Sequence, residues 1–331
     1  MKQTIKSVWI ICLLLFGSLS HAQDNMTCDT GFQAVEDATG SVCVPESPLR
    51  VVALEWTYME DVLALGVQPV GVADIEGYHN WVDISIELGE DVVDVGTRQA
   101  PNLELIAELE PDLIITSQLR STENYDELAA IAPTLMFNSY PPEGSYFVEM
   151  TNTFSTIATA LNREVEGEAI LEEMYQYFED ASTALETAGR LGEGFILAQG
   201  YLQSEAAVFR LFTDNAMAVE ILEQIGLSND WDDAPQQYGF TTIGVEGFAE
   251  IGDTNFFFVA QEADRNFFYE ADLWGTLPFV QNEHAYWLGA DIWLFGGPLS
   301  AKTLVDTTLT ALNVELPQAE MTPEATAEAG S

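Results

Sequence analysis

Hydrophobic positions between residues 50 and 140 recur with two different periods. Short apolar runs of strand length lie at 51–54, 67–72, 92–95, 113–116 and 135–137. Apolar residues at helical spacing lie at 58–65, 102–109 and 125–131. Pro101 and Pro111 flank the second of these helices, as expected at helix ends. Strands that alternate with helices through short loops predict βαβ units and a mostly parallel sheet.

Residues 165–188 predict one long amphipathic helix. The stretch contains no proline, and its apolar positions recur at spacings of three and four. These positions are Leu171, Met174, Tyr175, Phe178, Ala181 and Leu185. At 1.5 Å per residue the helix would be about 35 Å long. Gly189, Gly192 and Gly194 follow it and end it.

The alternation then restarts, with strands predicted at 195–198 and 256–260 and helices at 216–225 and 304–312. The predicted fold class is therefore α/β, with two Rossmann-like lobes, mostly parallel sheets and a single long helix between them. We place the N-terminal lobe at 48–162, the connecting helix at 163–190 and the C-terminal lobe at 191–316.

The two ends of the chain are predicted to lie outside the folded body. Residues 1–22 have the pattern of a signal peptide, with Lys2 and Lys6, an apolar run and a Ser20-His21-Ala22 cleavage site. The run is shorter than the roughly 20 residues of a spanning helix, and no cysteine follows the cleavage site as a lipid anchor requires. We expect a soluble protein in a periplasm-like space. Residues 317–331, rich in Ala, Glu, Thr and Pro, predict a disordered tail.

Residues 23–47 form a polar, turn-rich N-terminal extension that contains Cys28 and Cys43. An oxidising compartment favours a disulfide between them. Closing a loop of this size stabilises a fold by about 3 kcal/mol in the chain-entropy description. Two free thiols are the alternative.

Composition limits the possible partners. The chain has 331 residues, 47% of them hydrophobic, and a formal net charge of −44. Beyond the predicted signal peptide only eight Lys or Arg residues remain, so nothing could neutralise the phosphates of a nucleic acid. The acidity predicts a solvated surface that keeps the protein soluble.

Motifs of enzymes and metal sites are absent from the sequence. It has no G-x-S-x-G elbow, no phosphate-binding loop and no dinucleotide fingerprint. His79 and His284 each lie among aromatic residues, and a two-histidine site with carboxylates is the open alternative. We expect no catalytic residue, no resident cofactor and no bare-metal site.

The scarce arginines are the strongest candidates for ligand contact. Arg98 follows a predicted strand, at the sheet edge where ligands bind in parallel α/β folds. Arg210 lies between apolar residues of the second lobe. The planar guanidinium suits oxygen-rich anionic ligands, and a salt bridge with one of the 54 acidic residues is the alternative. With the loop aromatics Trp56, Tyr238 and Trp293, these arginines predict a pocket for an amphipathic organic ligand.

Ordered motifs between residues 50 and 312 resemble one family. They are RVVALEWT at 50–57, DVLALGV at 61–67, PVGVA at 69–73, VGTR at 95–98, PNLE at 101–104, PDLII at 111–115, IAP at 131–133, LFTDN at 211–215 and WLFGGPLS at 293–300. The chain thus resembles the ferric-siderophore-binding proteins of ABC importers, in their ferric-hydroxamate and ferric-citrate branch. The resemblance implies two lobes spanned by a rigid helix, of the class III periplasmic binding protein type, with modest closure of the cleft.

The resemblance also implies roles for individual residues. Arg98 would contact hydroxamate or carboxylate oxygens of a ferric siderophore, with Arg120 and Arg210 as further basic positions and Tyr238 on the pocket wall. Ser121 stands where some relatives have a pocket tyrosine, which leaves the siderophore type open.

The partner that the resemblance implies is an inner-membrane permease with its ATPase. One acidic residue of each lobe would contact the permease: Glu246 in the second lobe, and Asp126 or Glu127 in the first. We expect a monomer. The alternatives are the same fold carrying haem or cobalamin, a sensor that signals through a membrane partner, and an exported hydrolase.

Overall fold

The computed structural model of the chain describes residues 26–204 and 206–317. The predicted signal peptide, and the predicted tail beyond Pro317, lie outside these residues. Within them, the chain folds into two α/β lobes, each built on its own sheet. No helix of the described part is both long enough and apolar enough to span a bilayer.

An antiparallel hairpin precedes the first lobe. It consists of β1 (Phe32–Asp37) and β2 (Gly40–Pro45). Cys28 and Cys43 form a disulfide, with their Cα atoms 5.6 Å apart. Val35 and Val44 are buried in the core of the first lobe. The extension that the sequence presents as polar and turn-rich is thus a strand pair packed on the folded body.

The first lobe contains a five-stranded sheet in which every pair of neighbours is parallel, in the order β5-β4-β3-β8-β9. Its elements are β3 (Val51–Ala53), α1 (Trp56–Ala64), β4 (Gly71–Val72), α2 (Ile75–Trp81), β5 (Val93–Asp94), β6 (Gly96–Thr97), β7 (Ala100–Pro101), α3 (Leu103–Glu108), β8 (Leu113–Ser117), α4 (Gln118–Ser121), α5 (Tyr125–Ile131) and β9 (Thr134–Phe137). The strand predicted at 67–72 is only two residues long, because Pro69 has no N–H to give to a sheet.

Two helices link the lobes, α6 (Tyr146–Ala160) and α7 (Glu164–Ala188). Helix α7 was predicted from the sequence to within one residue, whereas α6 was not predicted. The 25 residues of α7 bury Met174, Phe178, Ala181 and Leu185 along one face. Gly189 ends the helix at φ 72°, a left-handed conformation that glycine adopts without strain.

The second lobe has a mixed sheet in the order β13-β11-β10-β14-β15, with β12 also beside β10. Its elements are β10 (Gly194–Gln203), β11 (Ala206–Phe212), α8 (Met217–Gln224), β12 (Ser228–Asn229), β13 (Phe240–Gly244), β14 (Asn255–Val259), α9 (Glu262–Glu270), α10 (Pro278–Gln281), β15 (Ala285–Gly289) and α11 (Pro298–Ala311). Strands β14 and β15 are parallel to β10, as the α/β pattern predicts, whereas β11 and β13 form an antiparallel half that the sequence analysis missed.

The lobes meet where α1 faces the N-terminus of α11. Glu60 is buried there and accepts hydrogen bonds from Ser300 N at 2.8 Å and Ser300 Oγ at 2.5 Å. A carboxylate at this end of a helix is favoured by the free N–H groups and the helix dipole. Burial nevertheless raises the pKa of Glu60, against the lowering effect of the Ser300 hydrogen bonds.

Asp61 lies beside Glu60 and is 1% exposed. Its Oδ1 has no hydrogen-bond partner among the described residues. Burial, and then the charge of Glu60, raise the pKa of Asp61 well above its usual value. Glu60 and Asp61, which are adjacent in sequence, are therefore both buried where α1 of the first lobe contacts α11 of the second.

Candidate functional site

A cavity of about 490 Å³ opens between the lobes. Both lobes supply cations and aromatic rings to its lining. These are Arg98, Arg120, Tyr58 and Tyr140 from the first lobe, and Arg210, Tyr238, Phe240, Trp293 and Phe295 from the second. A volume of this size falls in the range of organic-ligand sites.

The first-lobe residues reach the cavity because of the parallel sheet. Glu55 follows the carboxyl end of β3, Arg98 lies in the β6–β7 turn four residues after β5, and Arg120 lies in the short helix after β8. Ser139 comes two residues after β9. The carboxyl ends of parallel strands share one edge of the sheet, so residues far apart in sequence meet there.

Glu55 joins the two arginines of the first lobe. Its Oε2 accepts from Nη1 of Arg98 at 3.1 Å, and its Oε1 accepts from Nε of Arg120 at 2.7 Å. Nε of Arg98 also lies 3.6 Å from a carboxylate oxygen of Asp74. Salt bridges were the alternative to ligand contact in the sequence analysis. Arg98 and Arg120 both form them, and both arginines also line the cavity.

The guanidinium of Arg98 lies against two indole rings that contact each other edge-on, with 4.9 Å between their centres. The guanidinium carbon lies 3.5 Å from the ring centre of Trp56 and 5.8 Å from that of Trp293. Trp293 lines the cavity, but Trp56 is 3% exposed and does not. Trp56 was predicted as a ligand contact from the sequence; in the structure its indole is covered by Arg98 and donates Nε1–H to the carbonyl oxygen of Asp74 at 3.1 Å. The ring thus lies directly against the guanidinium of Arg98.

Arg210 enters from the opposite lobe on strand β11. Its Nη1 donates to Oε1 of Gln199 at 2.9 Å. Its guanidinium carbon lies 4.7 Å from the ring centre of Phe240 and 5.3 Å from that of Tyr201. Nε of Arg210 has no hydrogen-bond partner among the described residues. No carboxylate of the described residues forms a salt bridge with Arg210, unlike the two arginines across the cleft.

Tyrosines form the wall that connects the lobes. Tyr140 makes edge contacts with Tyr238 of the second lobe, at 5.3 Å between ring centres, and with Tyr146 at 5.7 Å. Tyr58 OH lies 2.9 Å from Ser139 Oγ. Burial raises the pKa of Tyr140 to about 12, so at neutral pH its phenol can still donate a hydrogen bond to a ligand oxygen.

Several lining residues were missed from the sequence, namely Glu55, Tyr58, Tyr140 and Phe240. Glu55 lies inside the motif RVVALEWT, where its position after a strand was the available signal. The resemblance aligns Ser121 with a pocket tyrosine. Its side chain is 1% exposed, and its Oγ lies 2.6 Å from Oγ1 of Thr116. It does not line the cavity.

The acidic residues expected to meet a permease lie elsewhere. Glu246 is exposed in a 3₁₀ helix, Val245–Glu250, and Asp126 and Glu127 are exposed in the first turn of α5. None of the three lines the cavity.

The two histidines of the described part lie outside the cavity lining. His79 packs its ring edge-on against Tyr78, and His284 Nδ1 lies 2.7 Å from Asp253 Oδ1. Across residues 26–204 and 206–317, no three His, Cys, Asp or Glu side chains gather in a group that could hold a metal ion.

Comparison with known proteins gives consistent matches. The sequence profile of the family described as "Periplasmic binding protein" matches residues 51–292. The Fe(3+)-citrate-binding protein YfmC of Bacillus subtilis is 30% identical over 307 residues, which cover 90% of this chain and 93% of that protein. The iron(3+)-hydroxamate-binding protein FhuD of Escherichia coli is 30% identical over 261 residues, covering 78% and 85%.

Solved structures agree with these matches. The siderophore-binding protein FhuD of Vibrio cholerae, crystallised with Fe3+-Desferal, superposes with a TM-score of 0.74 at 27% identity. The superposition covers 81% of this chain and 99% of that protein. The α/β fold with two lobes is therefore a fold that siderophore-binding proteins share.

Proposed function

The chain belongs to the periplasmic binding protein family, and from this membership we propose that it captures a ferric siderophore in the interlobe cleft and delivers it to an ABC permease for iron uptake. The ligand would be of the hydroxamate or citrate–hydroxamate type. Its iron is cargo that arrives already chelated, so the protein itself needs no metal ligands.

The observation that carries this proposal is the convergence of three arginines on one aromatic-walled cavity. Arg98 and Arg120 come from one lobe and Arg210 from the other. Guanidinium groups donate to the outward-facing oxygens of an iron chelate. The rings of Tyr140, Trp293 and their neighbours supply apolar surface for its organic backbone.

The relatives support the same ligand class. YfmC is described as binding Fe(3+)-citrate, and both FhuD proteins as binding iron(3+)-hydroxamate or a siderophore. The family and these relatives are substrate-binding proteins, which favours binding without catalysis. Haem or cobalamin as the ligand, and signalling instead of transport, find no support among them.

Export and docking complete the proposal. The mature protein would be released into the periplasm after cleavage near residue 22, where the Cys28–Cys43 disulfide persists. It would act as a monomer that presents Glu246 and one of Asp126 and Glu127 to arginines of the permease, which works with its ATPase.

A fluorescence titration tests the ligand. Mature protein is mixed with a ferric tris-hydroxamate, ferric citrate, free ferric ion, haem and cobalamin in turn. We expect saturable quenching of tryptophan emission by a ferric chelate, because Trp293 faces the cavity, and none by the free ion. No response to either chelate, with saturation by cobalamin or haem, would overturn the proposal.

A further inference from the structure

We propose that Glu55 sets the charge of the ligand, so that the cleft selects ferric chelates close to neutral over otherwise identical anionic ones. The proposal rests on the proposed function, since it concerns which member of that ligand class the same site accepts.

The position of Glu55 is fixed by the fold. It lies between the end of β3 and the start of α1, with φ −136° and ψ 145°. At this helix-capping position its side chain makes no capping hydrogen bond. Both carboxylate oxygens point instead to the arginines of the cleft, and the side chain is 12% exposed.

The cleft is therefore only weakly cationic. Its described lining contains three arginines and one carboxylate, that of Glu55. Asp74 adds a second carboxylate behind Arg98, at 3.6 Å. Three cations thus face two anions, inside a protein whose formal net charge is −44. The two carboxylates therefore cancel much of the attraction that the three arginines would exert on an anionic ligand.

The bridge nevertheless leaves hydrogen-bond donors for a ligand. Glu55 occupies Nη1 of Arg98 and Nε of Arg120. The other terminal nitrogens of these two arginines make no hydrogen bond within the described part of the chain. They can donate to oxygens of a neutral chelate, which needs donors and no counter-charge. An added carboxylate on the ligand would face Glu55 at close range in a partly enclosed site, where like charges repel strongly.

A matched pair of ligands isolates this effect. We compare one linear ferric tris-hydroxamate whose terminal amine carries a neutral acetyl cap with the same chelate carrying a succinyl cap, which ends in a carboxylate. We expect the wild-type protein to bind the acetyl form about fivefold more tightly. Glu55→Gln removes the charge and keeps the shape, so we expect it to bring the two affinities together.

Two further variants separate charge from structure. Glu55→Asp keeps the charge but is one methylene shorter, and we expect it to retain the preference for the acetyl form even if both affinities fall. Glu172→Gln removes one charge from the exposed outer face of α7 and should leave the ratio unchanged. A merely structural role of Glu55 would lower both affinities together and keep their ratio.

The outcomes distinguish this inference from the function on which it rests. Equal binding of both chelates by the wild type, or a Glu55→Gln ratio like that of the wild type, overturns the role of Glu55 while the function stands. If Glu55→Gln does not fold, Glu55→Ala takes its place as the uncharged variant: we expect it to bring the two affinities together, and a ratio like that of the wild type overturns the role of Glu55. Absence of binding by the folded wild type to both chelates and also to ferric citrate overturns the proposed function itself.

Discussion

The guanidinium carbon of Arg98 lies 3.5 Å above the ring centre of Trp56. The contact orients the guanidinium while Glu55 holds its Nη1. A cation stacked on an indole and paired with a carboxylate has few orientations left, so it meets the ligand with little loss of side-chain entropy.

Arg98 should therefore be sensitive to its shape as well as to its charge. We expect Arg98→Ala to weaken binding of a ferric tris-hydroxamate by about 1.5–3 kcal/mol, as for loss of a charge-assisted hydrogen bond. Arg98→Lys should recover only part of the loss, because an ammonium lacks the planar fork. Isothermal titration calorimetry measures both. Wild-type affinity in Arg98→Ala would remove this residue from the site.

Trp56 should affect binding without contacting the ligand. Trp56→Leu keeps an apolar side chain but removes the stacking surface under Arg98 and the hydrogen bond to the Asp74 carbonyl. We expect affinity to fall by about 0.5–2 kcal/mol, and combination with Arg98→Ala to add little more, since both act through one guanidinium. Additive losses in this calorimetric cycle would contradict the positioning role.

Asp61 should make stability depend on pH. Its raised pKa means that between about pH 4 and the folded-state value the folded protein binds more protons than the unfolded chain. Its contribution to the free energy of unfolding therefore grows as the pH falls from neutral.

Asp61→Asn cannot ionise and should lose this dependence. We expect the variant to have a higher free energy of unfolding than the wild type at pH 8, and the difference to be smaller at pH 5. Urea unfolding followed by circular dichroism measures both. Asp126→Asn, on an exposed position, is the control for the general effect of removing negative charge. A gain of equal size at both pH values would show that burial of Asp61 is not the cause.

Gly297 should tolerate no side chain. A Cβ there would lie 2.3 Å from Asp61 Oδ1 and 3.1 Å from Glu60 Oε1. We expect Gly297→Ala to lower the free energy of unfolding by about 1–3 kcal/mol, the usual scale for overpacking. Gly252→Ala is the matched control, because no atom lies within 4 Å of its added methyl. Equal unfolding curves for the two variants would rule out the close approach of α1 and α11 as a constraint.

The acidic docking residues should matter for transport and not for capture. We expect Glu246→Lys to abolish uptake in vesicles that contain the cognate permease, while the affinity for the siderophore stays the same. Asp126→Lys and Glu127→Lys tested side by side decide which residue serves the first lobe. Normal uptake by all three variants would refute electrostatic docking at these positions.

The sequence by itself determined the elements that depend on local pattern. The parallel first-lobe sheet follows from short apolar strands alternating with helices. Helix α7 was predicted within one residue because its apolar spacing is regular and Gly189 ends it. Arg98 and Arg210 stood out because cations are scarce in this chain, Arg120 was named through the family resemblance, and all three line the cavity.

Tertiary structure decided what those residues do. Strand β11 pairs antiparallel with β10 and with β13, and these pairs do not belong to βαβ units. The alternation of strands and helices along the sequence therefore does not predict them. Nothing in the sequence shows that Glu55 reaches both Arg98 and Arg120, or that Trp56 lies beneath one of them and outside the cavity lining. These relations arise because parallel strands bring distant loops to one edge. Pattern along a chain gives the position of a charge, and only packing gives its neighbours.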